Sequence, residues 1–200
     1  MQLPWDEHFA EIVLPAWQAY RAAESRLSAA TENETQVERA AYDALREGGA
    51  AAFYLHHFGE IVLRARPEWL PPELTRPHEV WAWLASFCTM LRTERPIDDV
   101  ALLWAVADAL KHGVLTRNPD QRPIEANEAV LVVSSGYGTL AFGEGKYGGG
   151  AQVVLQAKTG PRALSSVLQN VVDAWRRAAG LPLPPIGEGR SLALTPSTEF

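Results

Sequence analysis

Gln152-Val153-Val154-Leu155-Gln156-Ala157-Lys158 and, a few residues later, Leu164-Ser165-Ser166-Val167-Leu168-Gln169-Asn170-Val171-Val172-Asp173-Ala174-Trp175 space their apolar side chains in two different ways. In the first stretch Val153, Leu155 and Ala157 alternate with Gln152, Val154 and Gln156, the period of two that puts one side of a strand against a core. In the second, Leu164, Val167, Leu168, Val171, Trp175 and Ala178 recur at three and four residues, the period of an amphipathic helix. That helix is expected from about Pro161 or Ala163 to Ala179, with Arg176, Arg177, Gly180 and Pro182 as stop signals. The period changes from helical to extended after Arg117-Asn118-Pro119-Asp120 and returns to helical here, and these two switches decide the fold class.

Working outward, Ala129–Ser134 is an apolar β-branched run and Tyr137–Phe142 a second extended run. With Gln152–Lys158 they make a hairpin or three-stranded meander at about 128–158. Two or three strands alone are marginal in water, so their apolar side must lie on helices. Upstream, Pro96, Asp98 and Asp99 open a helix carrying Val100, Leu103, Trp104, Ala107 and Leu110, closed by Lys111, His112 and Gly113. Pro77 opens another, with Val80, Trp83, Leu84, Phe87, Met90 and Leu91 on one side. Thr35 and Glu38 have the spacing of a capping box, which predicts a long helix from Gln36 toward Arg66. Gly48-Gly49 either splits it or lets another backbone come close. Pro15 inside Trp5–Ala30 predicts a short lead-in and a helix from Pro15 onward.

The fold expected is mainly α: a bundle of four to five helices over residues 1–180, with a β-hairpin or three-stranded meander inserted before the C-terminal helix. Residues 181–200 read as a Pro-rich tail. Four of the seven Trp, namely Trp17, Trp83, Trp104 and Trp175, sit on helical stripes expected to meet in one core, and Trp69 pins the connector Pro67–Pro72. Trp5 and Trp81 are left for a surface contact.

Charge and cysteine content narrow the partners. A net charge of −6 in 200 residues disfavours nucleic acid as a partner. The single Cys88, placed mid-helix among Phe87, Met90 and Leu91, cannot form an intramolecular disulfide. The first residues lack a basic and apolar leader, and no run of about 18 apolar residues occurs, so a cytoplasmic, membrane-free protein is expected.

Gly143-Glu144-Gly145-Lys146-Tyr147-Gly148 matches G-x-G-x-x-G, but a strand rather than a helix follows it. It reads as a hairpin tip at which Lys146 and Tyr147 contact a partner. Ser134-Ser135-Gly136-Tyr137-Gly138 lacks the nucleophile elbow. His57 and Glu60 share one helix face, and Asp108 and His112 another; turned together they could ligate a divalent metal or serve hydrolysis. The plainer reading makes His57, Glu60 and Arg64 a solvated face, and Asp108 with His112 a structural pair. Lys111, His112 and Trp81 join Lys146 and Tyr147 as candidate ligand or partner contacts. No cofactor and no metal is implied.

The helix end Asp108-Ala109-Leu110-Lys111-His112-Gly113-Val114-Leu115-Thr116-Arg117 resembles the Asn/Asp-x-x-Lys-His end of small bacterial proteins with a HEPN-like helical bundle. A helix with small and aromatic residues (Ala50–Val62) before it, and a strand followed by a helix ending in Trp (Gln152–Trp175) after it, extend the resemblance over residues 36–179. It implies a helical bundle whose relatives include ribonucleases of toxin and antiphage systems and non-catalytic binding domains. The ribonucleases carry Arg-x4–6-His, and none of His8, His56, His57, His78 or His112 has an Arg at that distance upstream. The function expected is a non-enzymatic binding domain of unknown specificity that meets a partner protein or a small ligand, with dimerisation through the Trp-rich helix face of Val80–Leu91 as one form of that contact. A metal-dependent hydrolase or HEPN-type ribonuclease is the alternative.

Overall fold

The computed structural model describes residues 3–30, 34–112, 122–124, 126–133 and 150–184. Among these residues five helices pack around one core, with a three-stranded antiparallel sheet ahead of the last helix.

Helix α1 is continuous over residues 5–29: an α-helical turn at Trp5–His8 passes through a π-turn at Phe9–Val13 into Leu14–Ala29. The expected break at Pro15 does not occur. Pro15 has no N–H for the Glu11 carbonyl and its ring would press on that carbonyl; the wider π-turn lies at this spot. Helix α2, Glu34–Ala65, runs unbroken through Gly48-Gly49. Glu34 is already helical, so Thr35 lies inside α2 rather than capping it. Gly48 serves close approach instead of a break: a Cβ there would fall 2.8 Å from Leu164 Cδ2 and 3.1 Å from Tyr20 Cε2.

Helix α3, Pro77–Ala85, starts on a box in which Glu79 Oε2 accepts the Arg76 and Thr75 backbone N–H groups at 2.9 and 2.7 Å. These bonds favour the carboxylate and hold its pKa below the ordinary value. α3 stops at Ala85, well short of the Leu91 that periodicity implies, and Cys88 follows the helix rather than sitting within it. The Ser86 hydroxyl donates to the Trp83 carbonyl (2.7 Å), and the chain bends back so that Met90 N–H reaches the Arg95 carbonyl (2.9 Å). Leu91 and Arg92 take positive φ, a conformation that side chains resist. Buried partners on the last helix hold them there. Asn170 Oδ1 accepts the Leu91 N–H at 2.9 Å, and Asp173 Oδ2 accepts Arg92 Nε at 2.8 Å.

Helix α4 is Asp99–His112, and strands β1 (Val130–Val133), β2 (Gln152–Ala157) and β3 (Gly160–Ala163) pair in that order before α5, Leu164–Ala178. The meander is as expected in kind, but its third described strand is Gly160–Ala163, which the helical pattern had absorbed into α5. Gly160, at φ 121°, makes the turn out of β2. The expected strand Tyr137–Phe142 and the stretch from Pro185 onward lie outside the described residues. β3 is also anchored electrostatically: buried Arg162 Nη2 donates to buried Asp99 Oδ2 at 2.9 Å, and Asn170 Nδ2 donates to the same oxygen at 2.7 Å. One carboxylate thus ties the start of α4 to β3 and α5. Burial raises its pKa and the Arg162 guanidinium opposes that rise.

The centre of the bundle is aromatic. Trp175 of α5 lies 5.0 Å from Phe58, 5.8 Å from Trp81 and 6.4 Å from Trp69, and Trp69 meets Trp5 at 5.1 Å, mostly edge to face. The Trp expectations change accordingly. Trp81 is 4% exposed and belongs to this cluster, with Trp5 packed against it, whereas Trp104 faces outward at 37%. Gly59 makes the room: a Cβ on it would sit 2.6 Å from Trp81 Cζ2.

Candidate functional site

Chemistry-bearing residues gather on the outer side of α2 and the adjoining side of α4. The core side of α2 is set by Ala44, Gly48, Ala51, Ala52, Leu55, Phe58, Gly59 and Val62, all buried. At 3.6 residues per turn the opposite side carries Tyr42, Gly49, Ala50, Phe53 and His57. Apolar side chains stand in water there: Tyr42 is 65% exposed, Phe53 and Tyr54 41%, and Leu110 of α4 40%. Between the helices lies an open groove of about 360 Å³, lined by the small residues Gly49, Ala50 and Ala107, the larger Phe53, Tyr54 and Leu110, and the Lys111 cation. The gap left in the packed Trp cluster, by contrast, has no space for a water molecule.

Beside the groove, His56 stacks flat on Trp81 at 5.2 Å and lies 6.5 Å from Trp104. Burial holds its pKa below the ordinary value, His57 and Lys111 push the same way, and Asp108 and Glu60 oppose them. The α2 and α4 charges thus act on one neutral imidazole. His57 lies 4.3 Å from the Phe53 ring, and its Nδ1 is 3.6 Å from Glu60 Oε1, too long for a hydrogen bond. Both are partly exposed, which fits the solvated-face reading.

The expected Asp108–His112 pair is replaced. Asp108 Oδ2 accepts Arg122 Nη1 at 2.8 Å, and that guanidinium also lies 5.7 Å over the Trp104 ring. Arg122 comes from beyond α4, where helical spacing could not see it. His112 is exposed at the end of α4 and Lys111 lines the groove. Trp81, expected as an exposed contact, is buried; Trp104 is the exposed indole of this region. Lys146 and Tyr147 lie outside the described residues.

Among the described residues no group of three or more His, Cys, Asp or Glu is placed to hold a metal ion. Cys88 is buried, and burial pushes its thiol up to about 12, which leaves little thiolate at neutral pH. No described helix is long and apolar enough to cross a membrane. Sequence reasoning missed Phe53, Tyr54 and Leu110. The usable signal was the apolar side chains left on α2 outside its core arc.

No protein-family model, curated protein or solved structure matches the chain.

Proposed function

We propose that this chain is a cytoplasmic, non-catalytic binding domain that recognises a protein surface through the outer side of α2 and the neighbouring groove with α4. One observation carries the reading: Phe53, Tyr54 and Leu110 expose aromatic and aliphatic surface around one groove, with Tyr42 exposed on the same side of α2 and Trp104 exposed on α4. Aromatic residues at this density on a surface mark contact sites, since leaving them in water forfeits about 25 cal/mol per Å² of apolar area. Lys111 at the groove supplies a charge that orients a partner without dominating affinity.

The test is a photo-crosslinking amino acid at position 53, with a control at the exposed position Glu73, in cells holding the protein at native abundance. A discrete adduct at position 53 that is lost when Leu110→Asp is added, with none at position 73, is the expected result. Labelling at position 53 no greater than at the control overturns the reading.

A further inference from the structure

The outer stripe of α2 is self-complementary when read outward from its middle. Counting from the Gly49-Ala50 step, Arg46 stands opposite Phe53, Tyr42 opposite His57, and Arg39 opposite Glu60, at steps of three or four residues along the helix. These residues are exposed or half-buried. We infer that this stripe pairs with the same stripe of a second copy of the chain, antiparallel, about a two-fold axis at Gly49-Ala50. The inference rests on reading the α2/α4 side as the binding face and names its occupant.

Three features argue for a second copy. A two-fold axis brings residue i of one copy to residue j of the other and j to i, so every pair above occurs twice. The pairs match chemically: two rings that can stack, opposite charges at the ends, and near the axis an aromatic ring opposite Arg46, whose guanidinium is held on its own helix by Asp43 at 3.0 Å and Glu47 at 2.9 Å. A parallel arrangement instead sets Arg39 and Glu60 each against its own copy, two like-charge contacts. The second feature is Gly49. Packing requires Gly48 and Gly59, whereas a Cβ on Gly49 would meet only Leu110 Cδ1, at an ordinary 3.4 Å. The fold leaves this glycine unexplained, and the crossing point of two closely approaching helices explains it. The third feature is extent. Residues 39–60 span roughly 33 Å of helix at 1.5 Å per residue, and the half-exposed Leu110 and Trp104 of α4 widen the apolar band beside it.

Within one chain Arg39 and Glu60 are about 32 Å apart along α2, so they cannot compensate each other intramolecularly. Sedimentation velocity over a concentration series is therefore run on four proteins: the native chain, Arg39→Glu, Glu60→Arg and the double swap. Far-UV circular dichroism confirms the fold of each. The native chain is expected to form a reversible dimer, each single reversal to weaken it about tenfold or more, and the double swap to restore it to within about threefold. A native chain that stays monomeric at about 500 μM, a concentration at which even weak specific contacts form, overturns the inference. So does a dimer indifferent to the single reversals, or a double swap that fails to restore it. A monomer whose position-53 adduct is a different protein overturns the self-pairing and leaves the binding face standing.

Discussion

The two sides of α2 contrast in how completely the rest of the chain accounts for their residues. Toward the core, Gly48 meets Leu164 and Tyr20, Gly59 meets the Trp81 ring, and Phe58 lies between Phe9 and Trp175. Toward solvent, Gly49 has room for a methyl group, and Phe53 is 41% exposed with neighbours chiefly on its own helix. One helix thus uses glycine and phenylalanine on both sides for different ends. Inside they are determined by tertiary packing; outside, folding leaves them open to a contact with another molecule.

Paired substitutions break or sharpen this contrast, beginning with the aromatic rings. Phe58→Ala is expected to cost about 3–5 kcal/mol, because it empties a site walled by Phe9 and Trp175, while Phe53→Ala should stay within about 0.5 kcal/mol in the monomer. Urea denaturation at low protein concentration measures both, and comparable losses would mean that the two sides do not differ. The glycines give a smaller effect of opposite signs. Gly59→Ala must push the Trp81 indole from a contact of 2.6 Å and is expected to destabilise by about 1–3 kcal/mol. Gly49→Ala meets only ordinary contact at 3.4 Å and gains helix propensity, so the monomer should become more stable by about 0.5–1 kcal/mol. Thermal melts of the two variants check the signs; a loss at Gly49 would mean that its own chain requires it.

The same contrast explains which parts of the structure were legible in the sequence. Regular period carried the helices α2, α4 and α5, the strand β2 and the class of the fold, since each repeats a local rule many times. Features fixed by one distant partner were not legible. α3 ends early because Asn170 and Asp173, some eighty residues away, satisfy Leu91 and Arg92. Trp81 goes inward because Gly59 on another helix makes space for it, and Trp104 turns outward because Leu102, Leu103, Val106 and Ala109 already fill the core side of α4. Asp108 looks toward Arg122 rather than His112 for the same reason: spacing on one helix counts only partners on that helix. At the candidate site, His57, Glu60 and Lys111 were legible as polar residues of one region. The exposed apolar side chains beside them had no rule to announce them until the core arc was known.

The smallest effect concerns the ring that joins the two sides, His56, which stacks on the buried Trp81 and borders the exposed groove. Burial lowers its folded-state pKa, so in the window below the ordinary histidine value of about 6.5 the unfolded chain takes up a proton that the folded chain resists. Stability from this residue is therefore fully present above about pH 6.5 and declines as pH falls below it. His56→Phe keeps a flat ring for the Trp81 stack and removes the titration. Its melting temperature should fall less than that of the native chain between pH 7.5 and pH 5.5. His8, lowered by its own partial burial, and Asp99, shifted the opposite way, are present in both proteins and cancel in the comparison. Equal declines would show that His56 is as free to protonate in the fold as in the open chain, and would place it with the solvent-facing residues of α2 rather than at the boundary.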